Sequence, residues 1–121
     1  MPRGSSSSAG ATYLDRARRV DEVRESARRA AARLPSIERM VLFGSLASGT
    51  ATPRSDADIL VVLDRSDRSD PRDRISDVLH AMAPLPCAVD LFVLTADELE
   101  HARSHGAPLV RVALTAGIDL L

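Results

Sequence analysis

Lysine and tryptophan are absent from the 121 residues, cysteine occurs once, and the aromatic side chains are one tyrosine and two phenylalanines. Each scarcity removes a class of function. With no lysine among the 16 basic residues, Gly44 and Gly49, which fit the opening of G-x-x-x-x-G, cannot complete a P-loop, because Thr50 stands where its lysine belongs. With only Tyr13, Phe43 and Phe92 as rings, there is no stacking platform for single-stranded nucleic acid. A formal charge of −1 from 16 basic and 17 acidic side chains gives no electrostatic footprint for DNA or an anionic membrane. Cys87 has no intrachain disulfide partner and reads as a small buried hydrophobe. No apolar run approaches the roughly 20 residues that span a bilayer, and "MPRGSSSSAG" lacks the apolar stretch of a signal peptide. The expectation is a soluble, cytoplasmic protein.

What remains is a pattern of short elements. Residues 1–12 read as a disordered leader, and residues 13–121 as one domain. Between Tyr13 and Leu34 the apolar positions Leu14, Ala17, Val20, Val23, Ala27, Ala30 and Leu34 recur every three or four residues. They predict an amphipathic helix stopped at Pro35, its stripe packed on the domain's own sheet. "IERMVLFG", "DILVVLD" and "CAVDLFVL" have strand length. A helix opens at Asp70-Pro71, with Asp70 as N-cap, and ends before Pro84 and Pro86. Thr95 and Glu98 form a capping box for the next helix, and Leu109–Ala116 predicts a last one with Gly117 as C-cap and "IDLL" as a strand or tail. This is an α/β (α+β) class chain, a small sheet flanked by helices in a single domain.

The chemistry concentrates in "GSLASGTATPRSDADI", Gly44–Ile59. Alternation along a strand puts Asp56 and Asp58 on one face, about 6.5 Å apart at the backbone. Such a pair is either a turn feature or half of a metal site. Asp90 interrupts an apolar segment expected to be buried, where an unpaired carboxylate is costly; its partner is either an arginine or a cation shared with Asp56 and Asp58. Three carboxylates suit Mg²⁺ or Mn²⁺ rather than zinc, since no cysteine or histidine sits at ligand spacing, and His80, His101 and His105 read as helix surface. Paired divalent ions organise in-line displacement at phosphorus. Gly44 permits a sharp bend after a strand, from which N–H groups and the Ser45 hydroxyl can meet phosphate oxygens.

"LFGSLASGTATPRSDADILV" followed by "VDLFV" resembles the signature of the DNA-polymerase-β-like nucleotidyltransferases: Gly-Ser, ten intervening residues, Asp-x-Asp, and a later aspartate on a strand. The minimal nucleotidyltransferase group within that superfamily is the nearest match, from about Tyr13 to Leu121. The resemblance implies a nucleotidyltransferase fold, Gly44 and Ser45 as triphosphate binders, Asp56 and Asp58 as metal ligands, and Asp90 as the ligand that also helps deprotonate an acceptor hydroxyl. It implies Mg²⁺ (or Mn²⁺) as cofactor and AMP transfer from ATP. It further implies the antitoxin role of many minimal members, bound in a hetero-oligomer to a HEPN-domain ribonuclease toxin whose tyrosine they modify. Alternatives are neutralisation by binding alone, or transfer to a small hydroxylated compound. One departure is Ser48, where the family commonly has arginine; Arg54, beside Ser55, is placed to compensate, or else is a solvated turn arginine.

Overall fold

Alanine and arginine dominate the first helix, and its apolar side chains fall on one stripe. A computed structural model describes residues 3–49 and 57–121, with side chains from residue 15 onward. Helix α1 spans Arg3–Arg33, so residues 3–12, expected as a disordered leader, carry helical backbone. Serine costs a helix only about half a kcal/mol per residue, and neither proline nor consecutive glycines intervene before Tyr13. Val23, Ala27 and Ala30 are completely buried, and the chain leaves the helix just before Pro35, as its missing N–H and ring require.

Strand β1 (Ile37–Phe43) leads into the single turn α2 (Ser45–Ser48), and β2 (Ala57–Leu63) follows. Helix α3 (Pro71–Met82) starts where Asp70 accepts from the Arg72 N–H, with proline in its first turn. Then come β3 (Val89–Thr95), α4 (Ala96–Ser104), α5 (Pro108–Ala116) and the two-residue β4 (Ile118–Asp119). The sheet order is β3-β2-β1-β4. β1 is antiparallel to β2 and β4, and β2 is parallel to β3, the crossover through α3 supplying the length a parallel pair needs. This is a small mixed sheet flanked by helices, the architecture that the sequence resemblance implied.

Helices cover both faces of the sheet, which explains why the strands read as near-continuous apolar runs. On one face Met40, Leu42, Ile59, Val61, Leu91 and Val93 pack with Val23, Ala27 and Ala30 of α1 and Val78, Ala81 and Met82 of α3. On the other, Val41, Phe43, Leu60 and Val62 meet Ala113 of α5, with Leu94, Leu99 and Leu109 at the margin. Each fully buried aliphatic side chain is worth about 1.5–3 kcal/mol relative to exposure. The second layer stops short of the start of β3: Phe92 remains 37% exposed and Asp90 is exposed. That uncovered corner is where the acidic residues stand.

Candidate active site

The register of the sheet brings two of the three candidate carboxylates together. Asp58 of β2 pairs with Asp90 of β3, and Phe43, the last residue of β1, pairs with Asp58 from the other side. Directly paired residues of parallel strands share a face and lie about 4.8 Å apart at the backbone. Alternation puts Asp58 on the face of Leu60 and Val62, and Asp90 on that of Phe92 and Leu94. The six ion pairs among the described residues leave Asp90 out. The expectation that Asp90 is buried is corrected: β3 is an edge strand, Leu91 and Val93 face the core, and the alternate positions Asp90 and Phe92 are exposed. Cys87, expected to be buried, is half-buried against the same core.

Immediately after β1, Gly44 adopts φ 78° and ψ −155°, a conformation that side chains disfavour. Its Cα–H faces the Asp58 carboxylate so closely that a Cβ there would lie 2.4 Å from Asp58 Oδ2. Glycine at this position is thus required twice, by the turn and by the approach of the acid. Ser45 opens α2, whose turn is closed by the Ser48 N–H donating to the Gly44 carbonyl at 3.0 Å. The Ser48 hydroxyl donates to the Ser45 carbonyl at 3.2 Å. Leu46 anchors the turn in the core at 4% exposure. Arg54, Ser55 and Asp56 lie outside the described residues.

Two carboxylates on adjacent strands are a hard-oxygen donor set, and Mg²⁺ binds through one or two protein carboxylates together with substrate phosphates. Asp58 and Asp90 beside the Gly44 bend fit that requirement. Among the described residues no three histidine, cysteine, aspartate or glutamate side chains gather around one point.

Two further features of this corner carry no sequence signal. The rings of Phe43 and Phe92 lie 5.6 Å apart between centroids and tilted by 52°, lining the floor next to the acids. From α1, Arg16 donates to the Leu46 carbonyl at 3.0 Å and the Ala47 carbonyl at 2.8 Å. In the sequence Arg16 is one arginine on the polar side of a helix, and nothing local marks its reach. A cavity of about 370 Å³ lies at the opposite end of β2, lined among others by Leu63, Asp64, Arg68 and Asp77. Arg65, Arg68 and Arg74 all line it, and two of these are engaged with carboxylates, Arg68 with Asp77 at 3.1 Å and Arg74 with Glu98 at 2.6 Å.

A mixed sheet with a Gly-Ser bend between β1 and β2 and acids near the starts of β2 and β3 has the arrangement of a nucleotidyl-transfer fold. The chain belongs to the nucleotidyltransferase domain family, whose sequence profile matches residues 22–106. No curated protein matches it. Among solved structures it is similar to a nucleotidyltransferase candidate from Sulfolobus solfataricus, with a TM-score of 0.65 at 24% identity, over 89% of this chain and 84% of the other. It is also similar to a chain of a toxin-antitoxin crystallised with AMP-PNP, with a TM-score of 0.58 at 26% identity, over 81% of this chain and 72% of that one.

Proposed function

We propose that the chain transfers AMP from ATP to a hydroxyl of a partner protein, and that it serves as the antitoxin beside a HEPN-domain toxin. The observation that carries this reading is the pairing of Asp58 with Asp90, next to a glycine that both the bend and the Asp58 carboxylate make obligatory. The toxin-antitoxin neighbour with AMP-PNP supports the choice of adenine nucleotide and of a protein partner.

In this reading the acceptor hydroxyl oxygen attacks the α-phosphorus of ATP. The bond from that phosphorus to the bridging oxygen breaks, and pyrophosphate leaves. Asp90, exposed at the edge, accepts the hydroxyl proton. Gly44 and Ser45 hold the triphosphate through the backbone and hydroxyl of the bend, with Arg54 and Ser55 assigned to the same substrate. Asp56, Asp58 and Asp90 would hold Mg²⁺ or Mn²⁺, which when bound neutralises triphosphate charge and polarises the reacting oxygens. Among the described residues no helix is long and apolar enough to cross a membrane, and the cytoplasm is the assigned site of action.

The test is incubation of the chain with α-labelled ATP, Mg²⁺ and the protein encoded beside it. Label is expected on the partner, with none transferred by Asp58→Ala. Full protection by Asp58→Ala, without label transfer by the wild type, would replace catalysis with neutralisation by binding.

A further inference from the structure

A four-residue helix cannot hold itself together. Fixing one turn restricts three residues for a single hydrogen bond, so nucleation is unfavourable by roughly a thousandfold. α2 is such a turn, closed by the Ser48 N–H on the Gly44 carbonyl and the Gly49 N–H on the Ser45 carbonyl, and what fixes it is external. Leu46 plugs it into the core. The other support comes from α1, thirty residues earlier, where the Arg16 guanidinium donates to both Leu46 and Ala47 carbonyls.

Those carbonyls are among the orphan acceptors at a helix C-terminus, and a cation is favoured at that negative end. The planar fork of arginine reaches two acceptors at once, which an ammonium does not do as well. Gly49, with φ 83°, closes the turn directly over the guanidinium, where a Cβ would sit 3.6 Å from Arg16 Nε. The chain between Gly44 and Gly49 is thereby held at its C-terminal end by a side chain of α1.

We propose that Arg16 is the positioning residue of the nucleotide-binding bend: it acts through α2, keeping Gly44 and Ser45 in the one arrangement that accepts a triphosphate. This rests on the nucleotidyltransfer reading and assigns Arg16 no contact with substrate. Loosening the clamp lowers the fraction of molecules with a competent bend, and apparent affinity falls by that fraction. Bound nucleotide restores the bend, so the loss is in KM for ATP, while kcat at saturation changes little. An arginine that only supported the fold would lower thermal stability and leave that split unmoved.

The experiment compares wild type, Arg16→Ala, Arg16→Lys and, as a charge-matched control, Arg18→Ala, since Arg18 is exposed on the same helix. Mg²⁺–AMP-PNP affinity and amide exchange of residues 45–48 are measured on each. Arg16→Ala is expected to bind about tenfold more weakly and to exchange those amides about tenfold faster, the equivalent of losing charge-assisted hydrogen bonds. Arg16→Lys should fall between, and Arg18→Ala should match wild type. A folded Arg16→Ala equal to wild type in both measurements overturns the proposal; if Arg16→Ala does not fold, Arg16→Lys equal to wild type in both overturns it instead. Wild type that fails to bind AMP-PNP removes the nucleotidyltransfer reading, and amide exchange alone then decides whether the clamp exists.

Discussion

The hydrogen on the Gly44 α-carbon is what allows the Asp58 carboxylate to stand against the bend. Replacing it with a methyl places carbon 2.4 Å from Asp58 Oδ2 at a backbone φ of 78°, so the acid or the turn has to move. Misplacement of a reacting group by about 1 Å can cost on the order of a hundredfold in rate. Gly44→Ala is therefore expected to lower AMP transfer by about that factor, and to destabilise the fold by only about 1–3 kcal/mol, the usual overpacking cost; label transfer and thermal melting separate the two. The neighbouring pair makes a complementary prediction. Asp58 and Asp90 are like charges directly paired across β2 and β3, an arrangement that destabilises by roughly 0.2–1 kcal/mol. Asp90→Asn should melt no lower than wild type without divalent ions and should abolish transfer. Millimolar Mg²⁺ should raise the melting temperature of the wild type and not of Asp90→Asn, since only binding to the folded state shifts that equilibrium. An Asp90→Asn variant that still gains stability from Mg²⁺ would remove Asp90 from the ion site. Gly117 shows that a glycine's reason is not always its φ. At −82° it is no left-handed cap, but a Cβ there would meet the Ala113 carbonyl oxygen and Val41 Cγ1, each at 2.4 Å. The sequence marked the position; the packing of α5 on β1 supplies the cause.

At the scale of elements, start and stop signals were readable because they are local. Asp70-Pro71 opens α3 and Thr95 opens α4, with both halves of the capping box present. What was not readable is how elements finish one another. The C-terminal carbonyls of α3 receive Ser26 Oγ and Arg29 on Met82 at 2.7 Å each, and Arg33 on Ala81 and Ala83 at 3.2 and 3.1 Å. Arg19 reaches the Pro86 carbonyl beyond. These α1 arginines look in the sequence like a solvated polar face, since their partners lie some fifty residues on. Likewise Asp58 and Asp90 were separately visible, but their side-by-side register follows from the parallel β2–β3 crossover, and the exposure of Asp90 from β3 being an edge. Glu98 joins both levels. Its carboxylate accepts from the Thr95 N–H at 2.9 Å and from the buried Arg74 at 2.6 Å. The Arg74 hydrogen bond, then the Thr95 backbone bond, holds its pKa below the ordinary glutamate value of 4.5. A depressed carboxylate stabilises the fold above its unfolded pKa and loses that contribution as pH falls through its folded one. Glu98→Gln should thus cost about 1 kcal/mol at neutral pH, discounted because the carboxylate is half-exposed, and the gap from wild type should close as acid denaturation proceeds below about pH 4.5. A gap that stayed constant from pH 7 to 3 would show that the charge of Glu98 contributes nothing.

For the whole molecule, the decisive geometry is which side of the sheet is open. One face is closed by α1 and α3, and the other by α4 and α5 except at the corner holding Asp58, Asp90, Phe43 and Phe92. In the proposed reading, the partner's hydroxyl comes to the acids past Phe92, which is 37% exposed beside them. Aromatic side chains, phenylalanine among them, are enriched in protein interfaces relative to the rest of the surface. Phe92→Ser keeps the strand and removes the ring from the approach. It is expected to raise the KM for the partner protein about tenfold, to leave AMP-PNP affinity within twofold or so of wild type because the proposed triphosphate site is the bend, and to lower stability only modestly, since the residue is not fully buried. The measurement is label transfer against partner concentration, run beside nucleotide titration and thermal melting. Equal loss of nucleotide and partner binding would mean that the ring shapes the whole corner, and no loss of either would place the acceptor's approach on another side of the acids.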